Sequence, residues 1–204
     1  MRSLDEVKAL RIEIIKKGKS QESYRTIKSK EILKKNKDLR EKYCNVDNID
    51  RSGSILESDV EVLYDLMVKH TPKVVIEIGT WFGTSAMVMD SGDNFVYSCD
   101  KHNVRVYESE NVKYFNCTSD VFLDQLRKQG VKADLIFVDA GMFRGDDKRI
   151  GKVMRDEFVF VTHDYIKGEK GWRNIRAMRK RFTNAMVQTF DNGSCIAVME
   201  IKHG

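Results

Sequence analysis

Residues 74–85 read Val-Val-Ile-Glu-Ile-Gly-Thr-Trp-Phe-Gly-Thr-Ser, and few folds can use such a stretch. Its first five residues are apolar except for Glu77, the pattern of a short strand covered on both faces. Gly79 then lets the backbone turn sharply and come close to a ligand. Gly83 lets a following helix, expected over Thr84 to Met89, start against the strand. The first turn of that helix has N–H groups without partners of their own, which suits an anionic or polar ligand group. The glycine spacing is not the Gly-x-Gly-x-x-Gly of dinucleotide folds.

The chain on either side repeats the alternation of strand and helix. Apolar strands are expected at Val74 to Ile78, Phe95 to Cys99, Val112 to Asn116, Asp134 to Val138 and Phe158 to Thr162. Helical stretches separate several of them, notably Ser119 to Lys128. Before the first strand, Ser58 and Glu61 form a capping pattern for a helix carrying Val62, Leu63, Leu66 and Met67, stopped by Thr71-Pro72-Lys73. This order implies an α/β fold with a mainly parallel sheet and helices on both faces. The alternation then ends. Ala185 to Phe190 and Cys195 to Ile201 are expected as two strands joined by Asp191-Asn192-Gly193-Ser194, an antiparallel hairpin with an Asn-Gly turn signal.

Residues 1–53 differ in texture from residues 54–204, and the two are expected to be separate units, a basic helical extension and an α/β domain. Ser3 with Glu6 is a capping pattern ahead of Val7, Leu10, Ile14 and Ile15; Gly18 ends that helix, and a second is expected from near Gln21 to near Tyr43. The surplus behind a formal charge of +5 lies largely here, in Lys16, Lys17, Lys19, Lys28, Lys30, Lys34, Lys35 and Lys37. Such an arm can meet nucleic acid or another anionic partner, form a homodimer contact, or be a solvated face interrupted by acids such as Glu13, Glu22 and Glu31. No apolar run reaches bilayer length and no apolar signal core follows the N-terminus, so the chain is expected to be cytoplasmic with no membrane partner. Cys44, Cys99, Cys117 and Cys195 are widely spaced, which disfavours a zinc site or a disulfide framework.

Several acids and a histidine fall where parallel strands end, the positions that face a ligand crevice. Asp100 closes the second strand, about twenty residues beyond the glycine turn, where an acid can accept both hydroxyls of a ribose. Asp139 closes the fourth strand, and His163-Asp164-Tyr165 closes the fifth. These last two strand ends should lie side by side.

Glu77-x-Gly79-x-x-x-Gly83 resembles motif I of the class I S-adenosylmethionine (SAM)-dependent methyltransferases, and Asp100 matches the ribose-binding acid of that family. The terminal hairpin is similar to the family's sixth and seventh strands. The resemblance covers Ser54 to Ile201 and is greatest to small O-methyltransferase domains, including the catechol O-methyltransferase-like group. It implies a Rossmann-like seven-stranded sheet, SAM as cofactor and a small hydroxylated acceptor. Glu77, Gly79, Thr80, Trp81, Gly83 and Ser85 would form the methionine side of the cofactor site, with Arg51 to Ser54 near its carboxylate. Thr118, Ser119 or Asp120 would meet the adenine. In the metal-dependent members an acid and an acid–Asn pair hold Mg²⁺. Asp139 and Asp164 match that set, and Asp139 would also border the cofactor. His163 departs from it, since hard Mg²⁺ prefers oxygen, whereas Mn²⁺, Fe²⁺ or Zn²⁺ tolerate imidazole. His163 is alternatively a general base for the acceptor hydroxyl, or a histidine satisfied by its own loop.

The only proline is Pro72, so neither the Asn/Asp-Pro-Pro-Tyr/Phe loop of amino-group DNA methyltransferases nor the Pro-Cys nucleophile of cytosine-C5 enzymes can be present. Two other readings stay open. RNA 2′-O-methyltransferases of similar fold use a Lys-Asp-Lys-Glu set, of which Asp139 and Glu200 would supply two members. A non-catalytic SAM- or nucleotide-binding module would use the cleft without Asp139, His163 and Asp164 acting on an acceptor. Trp81 and Phe82 either cover the cofactor or pack inward. Trp172 either lines an acceptor pocket or anchors the start of the basic helix Trp172 to Arg181.

Overall fold

The computed structural model of the chain describes residues 55, 57–103, 105, 107–191 and 193–202. The helices expected over residues 1–53, the segment Arg51 to Ser54, Cys44 and Asn192 lie outside the described residues.

The elements run α1 (Glu57–His70), β1 (Val74–Ile78), α2 (Thr84–Met89), β2 (Phe95–Asp100), β3 (Val112–Asn116), α3 (Ser119–Lys128), β4 (Ala133–Val138), α4 (Asp146–Val153), β5 (Met154–Thr162), α5 (Lys170–Arg181), β6 (Val187–Thr189) and β7 (Ala197–Lys202). Seven strands form one sheet in the order β3-β2-β1-β4-β5-β7-β6. The first five strands of that order are parallel, and β7 runs antiparallel to both β5 and β6. This is the expected Rossmann-like α/β sheet with an antiparallel end.

Alternation along the central strands explains how one sheet buries both faces. Ile76, Ile136, Val138, Phe158 and Phe160 pack on the side of α3, α4 and α5, against Phe122, Leu126, Ile150 and Met178. Val75, Leu135, Phe137, Val159 and Val161 pack on the other side with Val62, Leu63 and Leu66 of α1 and Ala86 and Met89 of α2. A strand covered on both faces is apolar along nearly its whole length, which β1 shows apart from Glu77 and β4 apart from Asp134.

Three expectations are corrected. α1 already includes Glu57, so Ser58 lies inside the helix and not at its cap. β5 starts at Met154, four residues before the expected Phe158, because Arg155, Asp156 and Glu157 extend the strand while staying exposed. The terminal hairpin is present but looser than expected: β6 spans only Val187–Thr189 and β7 begins at Ala197, so the connection is longer than a tight Asn-Gly turn. No helix among the described residues is long and apolar enough to cross a membrane.

Candidate active site

The strand order creates the site. From β1 the chain steps outward to β2 and β3, then returns to place β4 on the other flank of β1, so the strand ends diverge there and leave a crevice. Register fixes what lines it. Ile78 is opposite both Cys99 and Val138, and Val138 is opposite Thr162. The residues that follow these, Gly79, Asp100, Asp139 and His163, therefore leave the sheet at one level.

Gly79 has φ +100°, and a Cβ there would stand 3.0 Å from the Asp139 carbonyl carbon. Only glycine lets the turn lie this close to the end of β4. Its N–H donates to the Cys99 carbonyl at 2.9 Å, and Asp139 N–H donates to the Ile78 carbonyl at 2.8 Å. Glu77 sits wholly buried beneath the turn. Its two carboxylate oxygens accept hydrogen bonds from Ser85 Oγ and Ser98 Oγ, and Ser98 in turn is bonded to Thr80 Oγ1. Burial pushes the Glu77 carboxyl up to about 7 against the pull of those two hydroxyls, with the charges of Asp139 and Asp100 adding to the rise. Glu77, Thr80 and Ser85 thus form an internal network that ties the turn to α2 and β2, and all three are buried. Phe82 packs into the interior, and Trp81, with φ +46°, stays at the turn.

Asp100 stands across the turn from this network. Its Oδ2 accepts the Trp81 N–H at 3.0 Å and its Oδ1 accepts the His102 N–H at 2.8 Å. Both bonds hold the carboxylate at the mouth of a small cleft lined by Thr80, Asp100, His102, Arg105, Tyr114, Phe115 and Asn116. Trp81 Nε1 and Tyr114 Oη are buried and have no hydrogen-bond partner among the described residues. Buried polar atoms without partners are uncommon in native proteins and suit a ligand that supplies them. Of the three residues expected near an adenine, Thr118 Oγ1 donates to Asp120 Oδ1 at 2.5 Å, and Ser119 Oγ donates to buried Asp146 at 2.6 Å.

The ends of β4 and β5 bring Asp139, His163 and Asp164 together as expected, each offering a ligand atom within 4.8 Å of the others. They are joined by two residues that the sequence did not single out. His163 Nδ1 lies 2.9 Å from Asp139 Oδ1, and His163 Nε2 lies 2.9 Å from Asp59 Oδ2 on α1. Ionised carboxylates only accept, so both ring nitrogens donate and the ring is an imidazolium. Burial works against that charge, but the hydrogen bonds and charges of Asp139 and Asp59 outweigh it and lift the pKa to about 10. Both ring nitrogens are engaged by carboxylates in this arrangement. Lys170, at the start of α5, reaches the same acids: Nζ is 2.9 Å from Asp139 Oδ1, 3.1 Å from Asp164 Oδ2 and 2.7 Å from the Asp139 carbonyl.

Asp59 carried a signal in the sequence. It precedes Val62, Leu63 and Leu66 at helical spacing, so an acid occupies the apolar stripe of α1, where it is fully buried. Lys170 carried none, being 31 residues from Asp139 in a polar stretch. Glu200 does not join Asp139. It lies on β7 opposite Val159, well before the end of β5, and pairs with Lys69 at 2.5 Å. The loop after β4 and one face of α5 line a cavity of about 330 Å³ whose lining includes Phe143, Arg144, Arg173 and Lys180. Trp172, in the first turn of α5, lies under Arg176, with the guanidinium 4.6 Å from its ring centre.

No family model and no curated protein matches this sequence. Solved structures do match. The O-methyltransferase TomG of Streptomyces achromogenes, in complex with SAM, shares 15% identity at a TM-score of 0.63, over 85% of this chain and 90% of that one. An O-methyltransferase of Bacillus cereus in complex with SAH shares 15% identity at a TM-score of 0.61, over 85% and 90%. The SAH-bound methyltransferase PaMTH1 of Podospora anserina shares 14% identity at a TM-score of 0.58, over 84% and 88%. At such identities the likeness is one of fold: the chain has a Rossmann-like α/β fold similar to that of these methyltransferases.

Proposed function

We propose that this chain is a SAM-dependent methyltransferase that methylates an oxygen of a small hydroxylated acceptor. The observation that carries the reading is the convergence, at the switch point of the sheet, of the Gly79 turn with Asp100 on one flank and Asp139 on the other. Asp100 keeps free lone pairs on a carboxylate already fixed by two backbone N–H groups, an arrangement suited to two ribose hydroxyls. Trp81 Nε1 and Tyr114 Oη are donors in search of a partner beside it. When bound, SAM supplies an electrophilic methyl group, and the chain contributes orientation of the two reactants.

The Glu77 network serves this reading by holding the turn rigid and not by touching the ligand. Thr118, Ser119 and Asp120 border the adenine side through the backbone at the start of α3. The cavity between the loop after β4 and α5 is of a size for a small acceptor. Three cations, Arg144, Arg173 and Lys180, face one acid there, Asp147, which favours an acceptor that carries an acidic group as well as a hydroxyl. His163 positions Asp139 and is not the base that deprotonates the acceptor.

The test is product formation. Incubation of the chain with SAM and a panel of hydroxylated aromatic acids, esters and amines should release S-adenosylhomocysteine with at least one acid and less with the matching ester. Turnover confined to amines, or none with any member while SAM binds, would count against O-methylation and favour a binding module.

A further inference from the structure

The divalent ion that the Asp139–His163–Asp164 pattern invites meets a cation already in place. We propose that the Lys170 ammonium is the resident cation of this cluster and keeps a metal out. On the methyltransferase reading above, transfer by this chain then proceeds without a divalent ion.

The donor set does not fit a metal. An ion bound to Asp139 and Asp164 would lie within about 2.6 Å of one oxygen from each. Lys170 Nζ occupies that space, 2.9 Å from Asp139 Oδ1 and 3.1 Å from Asp164 Oδ2. Both ring nitrogens of His163 already face carboxylates, Nδ1 that of Asp139 and Nε2 that of Asp59, each at 2.9 Å. The ammonium thus already bridges the two carboxylates that would hold the ion.

Lys170 is saturated as well as close. An ammonium has three N–H donors. Three acceptors surround this one: Asp139 Oδ1, Asp164 Oδ2 and the Asp139 main-chain oxygen at 2.7 Å. The group is therefore a fixed counter-charge that positions Asp139 and Asp164, not a proton carrier.

Its placement is built into the backbone. A Cβ on Gly171 would lie 2.1 Å from the His163 carbonyl oxygen and 2.7 Å from that of Asp164. The first turn of α5 thus rests directly on the segment it serves, and Asp164 bends under it with φ +55°. Only with glycine at 171 does the helix come near enough for the preceding lysine to reach both acids.

The experiment is a Mn²⁺ titration of the full chain, read by the loss of the free-ion EPR signal. Wild type should bind no Mn²⁺ at millimolar ion. Lys170→Asn and Lys170→Met remove the charge, and Asn also adds an oxygen ligand; either should tighten Mn²⁺ binding by about tenfold or more. If one variant fails to fold, the other decides. Stoichiometric Mn²⁺ binding by wild type, weakened in Asp139→Asn, would overturn the proposal. So would a folded Lys170 variant that gains no binding, since Lys170 would then not be what excludes the ion. Metal binding is read without SAM or acceptor, so its outcome is distinct from that of the methyltransferase assay.

Discussion

Glu77 stands two residues before Gly79, which borders the crevice, yet both its oxygens turn inward to Ser85 and Ser98. Its folded pKa of about 7 lies above the ordinary 4.5. A raised carboxyl pKa means the fold prefers the protonated form. The associated stability is fully present below about pH 4.5 and is lost as pH rises through about 7. Glu77→Gln, which cannot ionise, should therefore gain stability relative to wild type by a few kcal/mol between pH 5 and pH 8. Urea midpoints of both proteins at the two pH values check this, and an unchanged difference would show that Glu77 does not titrate as argued. Gly171 makes a second prediction at this scale. A methyl group there meets backbone, which cannot rotate away, so Gly171→Ala should cost at least the ~1–3 kcal/mol of ordinary overpacking. A melting temperature equal to that of wild type would contradict the close approach of α5.

At the scale of elements, Asp59 joins parts of the chain far apart in sequence. One oxygen meets His163 at the end of β5; the other accepts the Ser194 hydroxyl at 2.7 Å and the Cys195 N–H at 3.0 Å, ahead of β7. α1 is thus held to the sheet by a buried acid as well as by Leu63 and Leu66. Asp59→Ala strands a buried imidazolium with one fewer partner, and should lower stability by about 3–5 kcal/mol. Chemical denaturation checks it, and a loss under 1 kcal/mol, on the order of an exposed pair, would show the contact to be weak. Legibility in the sequence followed burial. β1 and β4 are apolar apart from one acid each, Glu77 and Asp134, and their ends were read closely. The first half of β5 was missed because Arg155, Asp156 and Glu157 are exposed and polar, and α4 because Ile150 and Val153 are nearly its only buried side chains. Asp59 was visible in principle as an acid in an apolar stripe. Lys170 was not, because its meaning lies in a pairing that exists only after β4 and β5 are side by side.

For the whole molecule, the order β3-β2-β1-β4-β5-β7-β6 decides which strand ends meet, and so which residues share a site. Alternation of strand and helix pointed to a doubly wound sheet, and the resemblance of the glycine turn pointed to this one. The antiparallel end was foreseen from the Asn-Gly signal, although the connection proved longer. The same order separates residues that a sequence motif would join: Glu200 is on the sheet yet away from the ends of β4 and β5, where Asp139 sits. The proposed function requires that the crevice between β1 and β4 hold SAM. The most direct measurement is calorimetric titration of SAM into wild type and Asp100→Ala. Micromolar binding by wild type, weakened by about tenfold or more in a folded Asp100→Ala protein, is the predicted result, since a charge-assisted hydrogen bond contributes about 1.5–3 kcal/mol. Absence of binding by folded wild type, or equal binding by the variant, would contradict it.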